Sequence, residues 1–240
     1  MKKDDKVFDP VEEYVAGLTQ RPVTSFHPSS ASCVIGKKIV GACLRQQYWK
    51  WKHEPMDGDM SYRTWMAARL GSAYEKAFLE AYRAKGLLRA QNYPFRIWVM
   101  GLQISGRLDG LTKKGEVIEC KSAYGKAFYF QISRKPKPEH LCQIMVYLAV
   151  LGLDTCILPY GSRDDTAKRQ GYVLRKKDIE AEGIQFIKII DRWKALQTHL
   201  ETCIIPSRDY LPTDWHCNYC GYRKKCYRTP KGLDLFKTAP

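Results

Sequence analysis

Three residues stand where they could do hydrolytic chemistry together. Asp109 closes the run Gly106-Arg107-Leu108-Asp109-Gly110, and Glu119-Cys120-Lys121 follows ten residues later. Side chains alternate along a strand, so Glu119 and Lys121 should share one face while Ile118 and Cys120 point to the other. A short antiparallel turn through Lys113 to Gly115 would bring Asp109 beside Glu119. Two carboxylates that close repel each other and raise one pKa unless a cation sits between them. Hard Mg²⁺ or Mn²⁺ prefers such oxygen ligands, and a cation there could polarise a phosphodiester and activate water, with Lys121 orienting that water or neutralising developing charge.

A second constellation is made of sulfur. Cys217, Cys220 and Cys226 fall within ten residues. Thiolates at this spacing select Zn²⁺ or an iron–sulfur cluster rather than Mg²⁺. Three thiols leave a fourth ligand to come from elsewhere, with Cys43, Cys33 and, for zinc, His216 as candidates. Cys120, Cys142, Cys156 and Cys203 read as small buried hydrophobes.

The elements that must position these groups can be sketched from spacing. Residues 1–32 mix charge with Pro22, Pro28 and serines, which suggests a mobile N-terminal arm or a loosely docked lead-in. Apolar residues recur at helical spacing from Val34 to about Lys52, and residues 61–85 form a proline-free helix ending at Lys85-Gly86. Phe95–Met100, Gln103–Asp109 and Glu116–Lys121 read as a three-stranded meander. A helix over 139–151, strands at Thr155–Leu158 (stopped by Pro159) and Gly171–Leu174, and an amphipathic helix from Asp178 to about Glu201 complete the core. This order fits an α/β domain with a mixed sheet. The expected divisions are the arm 1–32, a helical segment 33–60, a core 61–202 and a cysteine-rich segment 203–240.

The chain has 240 residues and carries 40 Lys or Arg against 25 Asp or Glu, a net charge of +15. Such a surplus implies a polyanionic partner, and nucleic acid fits better than a membrane surface because no basic amphipathic helix stands out. Leu141–Leu153 is shorter than the roughly 20 apolar residues a bilayer span needs. The N-terminal MKKDDKVFDP lacks an apolar signal core, so a soluble, cytoplasmic protein with no membrane partner is expected. Nine cysteines, an odd number in a reducing compartment, argue against a disulfide framework. Three basic segments interleaved with aromatics, Arg45–Lys52, Lys126–Lys137 and Arg223–Lys231, could follow phosphates while rings stack on unpaired bases.

Asp109 followed by Glu119-x-Lys121 resembles the PD-(D/E)xK nuclease superfamily, and Gln143-Ile144-Met145-Val146-Tyr147 resembles the Gln-x-x-x-Tyr motif of its RecB-like branch. The resemblance implies a restriction-endonuclease-like core, with Gln143 and Tyr147 on one helix face shaping the site. It also implies a helical metal ligand, commonly His in a Gly-x-x-x-His-Glu sequence. Here Gly71-Ser72-Ala73-Tyr74-Glu75 has no His, and Glu75 is the substitute, as in λ-exonuclease-like relatives, with Glu80 the lesser candidate. Glu75, Asp109, Glu119 and the Cys120 carbonyl would then hold Mg²⁺ or Mn²⁺. Cys43-Leu44-Arg45 followed by aromatics, with Cys217, Cys220 and Cys226, is similar to the one-before, three-after arrangement of the iron–sulfur members, implying a [4Fe–4S] cluster. The resemblance extends to CRISPR-associated RecB-like exonucleases and phage relatives. It implies hydrolysis of DNA ends or single strands to 5′-phosphate and 3′-hydroxyl products, with an integrase or replication and recombination proteins as partners. A catalytically impaired DNA-binding module is the alternative.

Overall fold

The computed structural model describes residues 5–18, 22–58 and 61–227. In chain order the elements begin with helix α1 (Asp9–Ala16), strands β1 (Ser32–Ile35) and β2 (Lys38–Gly41), and helices α2 (Leu44–Trp51) and α3 (Tyr62–Ala84). Strands β3 (Leu88–Val99), β4 (Leu102–Thr112), β5 (Val117–Ile118) and β6 (Lys121–Ala123) come next. A short helix α4 (Gly125–Ala127), a π-helix (Phe128–Ile132) and α5 (Pro138–Leu151) precede β7 (Thr155–Ser162) and β8 (Arg169–Arg175). The chain ends in α6 (Lys176–Ala181), α7 (Phe186–Glu201), α8 (Trp215–Asn218) and α9 (Arg223–Tyr227). Two compact units divide these elements: one takes residues 25–42 and 69–198, the other the described residues of 1–24, 43–68 and 199–240.

The first unit is built on a mixed six-stranded sheet. Strands β3, β4 and β5 are antiparallel neighbours, β5 and β6 both run parallel to β7, and β8 pairs antiparallel with β7. Because β8 takes one edge of β7 along Thr155–Gly161, β5 and β6 share the other, as two pieces of one interrupted strand. Strand β4 alternates, burying Leu102, Ile104, Leu108 and Gly110 while turning Arg107 and Asp109 the other way. Helix α5 buries every residue from Leu141 to Leu148, the signature of a helix enclosed on all sides. Each large aliphatic side chain buried in this way contributes about 1.5–3 kcal/mol.

Four expectations need correction. Val34–Lys52 is not one helix: its first part is the β1–β2 hairpin, turned at Gly36-Lys37, because Val34, Ile35, Ile39 and Val40 are β-branched and alternate across the pair. Within the span read as an arm or docked lead-in, the described residues include helix α1, where Pro10 starts the first turn and Val15 is buried, and Phe26 bridges to Ile104 of β4. Strand β7 does not stop at Pro159 but runs on to Ser162. Glu119 and Lys121 do not lie on one continuous strand, since β5 ends at Ile118 and β6 begins at Lys121. The segment 178–201 is two helices, separated where Gly183 takes φ +82°, a conformation that ends helices and that L side chains rarely adopt. The far end of the third basic segment, Arg228–Lys231, lies outside the described residues.

Candidate active site

Register brings the two acids together. Gly110 pairs with Ile118 and Leu111 with Val117, so Asp109 and Glu119 are the next opposed positions of β4 and β5. The strand breaks there. Glu119 still donates its N–H to the Ile157 carbonyl (3.0 Å), but the Cys120 N–H turns away to the Asp109 carboxylate at 2.7 Å. Pro159 lies opposite this break and has no N–H to offer the neighbouring strand. The proline that looked like a strand terminator thus coincides with a gap in the ladder, and the gap frees Glu119-Cys120-Lys121 from regular pairing.

Helix α3 adds a third acid. A Cβ on Gly110 would stand 2.9 Å from Leu79 Cδ2, so only glycine lets the helix approach β4 this closely. Leu79 is fully buried with Ile118 and Cys120, and Glu75 is one turn earlier on the same face. Glu75 accordingly feels Asp109: burial and that neighbouring carboxylate raise its pKa, with Arg107 and Lys121 opposing. Glu80 is exposed on the same helix. Tyr74, one residue before Glu75, packs its ring on β7, where a Cβ at Gly161 would meet it at 2.3 Å.

Helix α5 locks the central acid. Gln143 Nε2 donates to Glu119 Oε1 (2.8 Å) and to Tyr147 Oη (3.0 Å), and the Tyr147 hydroxyl donates to the Arg107 carbonyl (3.3 Å). The Lys121 ammonium contacts the same Glu119 Oε1. Burial pushes the Glu119 carboxyl up to about 7 against the pull of Lys121, and burial also raises Asp109 despite its bond from the Cys120 amide. Asp109 and Glu119 thus sit where burial resists ionisation, with the part-buried Glu75 within their electrostatic reach. Glu119 Oε2 is buried without a hydrogen-bond partner. Among the described residues no three His, Cys, Asp or Glu side chains stand at metal-ligand distance. The donor set nevertheless suits a hard divalent cation: all oxygen, mutually destabilised, with one buried acceptor left open.

The pattern of the PD-(D/E)XK nuclease superfamily matches residues 36–227. The chain belongs to that superfamily. Among solved structures, SSO0001 superposes on this chain with a TM-score of 0.51 at 16% identity, covering 94% of each chain, a likeness of fold. The alkaline exonuclease LHK-Exo from Laribacter hongkongensis gives 0.45 at 18% identity, covering 57% of this chain and 72% of that one. A phage related exonuclease from Haemophilus somnus 129PT gives 0.47 at 13%, covering 67% and 80%. No curated protein matches the chain.

Sequence reasoning missed two basic groups near the carboxylates. Arg107 had a signal, since it lies two residues before Asp109 on one strand and therefore shares its face. His27 had none. Burial first, then Lys121 and Arg107, depress its pKa, which places it in their electrostatic reach. His27, Arg96 and Arg107 line a groove of about 500 Å³. No helix among the described residues is long and apolar enough to cross a membrane.

The other unit of the chain contains the four cysteines singled out as ligands. Helix α2 follows Cys43 directly and is pinned by Asp209, which accepts the Leu44 N–H at 2.6 Å, and by Arg45, which donates to the Pro206 carbonyl at 2.6 Å. From it Arg45 reaches the Cys226 sulfur (3.8 Å) and Gln46 the Cys220 sulfur (3.7 Å), while Cys217 meets the Tyr227 hydroxyl at 3.5 Å. Burial, Asp209 and Cys220 push the Cys43 thiol up to about 11. Burial raises Cys220 too, reinforced by Cys217 and Cys226. The thiols feel one another without meeting at ligand distance, and the four-sulfur donor set fits a soft metal centre. Cys33 is buried in the sheet-bearing unit with Cys142 as an electrostatic neighbour. His216 directs Nδ1 to Asp214 (2.7 Å). Cys120, Cys142 and Cys156 are buried as expected; Cys203 is exposed, a correction that follows from its place just past the end of α7 with φ +55°.

Proposed function

We propose that this protein is a metal-dependent deoxyribonuclease that hydrolyses phosphodiester bonds in single-stranded DNA or at DNA ends. The observation that carries the reading is Glu119. One of its oxygens takes the Lys121 ammonium and the Gln143 amide, and the other is buried with no partner beside two further acids. An open buried carboxylate oxygen is costly unless a cation completes it. In this reading Glu75, Asp109, Glu119 and the Cys120 carbonyl hold Mg²⁺ or Mn²⁺. Such an ion, when bound, polarises the scissile phosphate and makes water nucleophilic near neutral pH. Lys121 opposes charge growing on the phosphate oxygens, and its contact with Glu119 keeps the ammonium at the site. Gln143 and Tyr147 fix the Glu119 carboxylate, and the groove of His27, Arg96 and Arg107 draws in the phosphate backbone.

Cys43, Cys217, Cys220 and Cys226 hold a [4Fe–4S] cluster in this reading, with a four-thiolate zinc site as the alternative. The cluster's contribution is to staple a segment built of short elements. The setting that the resemblance favours is trimming of DNA ends in CRISPR adaptation, or in phage or host recombination, replication and repair, with an integrase or recombination proteins as partners.

A second reading, a DNA-binding module without catalysis, is favoured by one observation: no three ligand side chains close to metal distance among the described residues. One assay decides between the two. Labelled single-stranded DNA is incubated with Mn²⁺ or EDTA, using wild type and Lys121→Ala. The nuclease reading expects metal-dependent cleavage that falls about 100-fold or more in the variant. Intact DNA, tightly bound in every tube, would establish the module.

A further inference from the structure

We infer that the aromatic and cationic surface formed by residues 124–130 and the loop before β8 is a stacking platform for unpaired nucleotides, which deepens the proposed reading by naming the substrate as a single strand. Strand β6 carries Lys121 and runs straight into Tyr124, so the surface begins three residues from the candidate site. The π-helix then sorts its own side chains. Phe128 and Ile132 are anchored in the core, and the Ser133 N–H closes on the Phe128 carbonyl at 2.9 Å. Tyr129 and Phe130 between them must point outward, and they are 49% and 75% exposed. π-Helical turns are rare and cluster at functional sites. Two neighbouring rings held in water cost hydrophobic free energy that only a partner would recover.

The loop supplies the cations. Arg163 lies over the Tyr124 ring at 5.0 Å and Lys168 over Tyr129 at 4.2 Å. Arg163 is itself tied to Ser122 through its Nε and Nη2, both at 2.9 Å, and Asp164 accepts the Gly125 N–H at 2.9 Å. Lys168 also pairs with Asp165 at 2.7 Å. The Tyr172 hydroxyl donates to the Ile132 carbonyl from the adjoining strand. The platform is therefore fastened at both ends before any ligand arrives, so little ordering cost falls on binding. Exposed rings interleaved with guanidinium and ammonium groups on a chain of charge +15 match a strand with both phosphates and accessible base faces. A duplex offers phosphates but hides its base faces, so it cannot use the rings.

The test measures binding only. Fluorescence anisotropy in EDTA compares a labelled single strand with a duplex of the same length, using full-length wild type, Tyr129→Ala and Phe130→Ala. Each variant should lose about 10-fold in affinity for the single strand and less than about 2-fold for the duplex, and Phe130→Trp should restore the single-strand value. Unchanged single-strand affinity, or equal losses on both ligands, overturns the platform. So does a shift from dimer to monomer in sedimentation with strand affinity unaltered, which would assign the rings to a second copy of the chain. Because the metal is chelated and no cleavage is read, failure of the hydrolase reading in the Lys121→Ala assay leaves this result independent.

Discussion

The two polar clusters of this protein are scaffolded in opposite ways. The carboxylate cluster is set by sheet register: Asp109 and Glu119 face each other because Gly110 pairs with Ile118, and α3 and α5 then close over them with Leu79, Met145 and Tyr147 fully or almost fully buried. The backbone pairing and apolar packing of that scaffold form without a ligand, even though the buried Glu119 oxygen is left open. The cysteine cluster draws on residues 43 and 217–226, and the helices nearest its last three thiols, α8 and α9, have four and five residues. Helices so short are marginal alone. Buried support there comes from a few side chains, Tyr48, Trp49, Tyr222 and Tyr227 among them. A site held by register should survive loss of its ion; a site held by its ion should not.

Removing the cofactors is the strongest way to break this contrast. Cys220→Ser, or prolonged chelation, should expose amides of residues 199–227 to hydrogen exchange and lower the melting temperature by roughly 10 °C or more, because bound metal contributes folding free energy directly. Amides of β4 and β7 should keep their protection. Equal loss of protection in both units would refute the contrast. Iron and sulfide analysis of the purified protein, expected to be brown, separates a cluster from stoichiometric zinc.

Within the sheet-bearing unit, Leu79→Ala should cost about 2–5 kcal/mol by denaturant unfolding and weaken metal binding as well, since Glu75 rides on the same helix face. Gly110→Ala should cost less, about 1–3 kcal/mol, because the added Cβ meets Leu79 at 2.9 Å and displaces α3. Gln143→Ala is expected to have the smallest stability effect, about 1 kcal/mol, while lowering cleavage roughly 10-fold by releasing Glu119 and Tyr147. A Gln143 variant with full activity would show that the acid needs no holder.

What could be read from the sequence follows the same division. The approach of Asp109 to Glu119 was legible because a tight hairpin is a local rule, whereas Lys121 reaches Glu119 across a strand break that alternation does not foresee, and Glu75 was suggested only by the family resemblance. Misreadings came where partners distant in sequence decide. Val34–Gly41 has helix-compatible spacing, yet it pairs as a hairpin, and α5 packs on it through Cys142, whose thiol lies 4.0 Å from the Val40 carbonyl. Pro159 reads as a stop, yet the adjoining strand is broken beside it, so its missing N–H disturbs no regular rung. Gly183 does signal the end of a helix, but the long apolar period across it masks the break. His27 and the cations of the 163–168 loop gain their neighbours only through the folded sheet, and no spacing in the chain announces them.

The most direct measurement is a Mn²⁺ titration by calorimetry, with single-strand cleavage read on the same samples, for wild type and Asp109→Asn. If Asp109, Glu119 and Glu75 form the ion site of a nuclease, the substitution weakens Mn²⁺ binding by at least about 10-fold and cleavage falls with it. Wild-type metal affinity together with wild-type cleavage in Asp109→Asn would contradict the assignment.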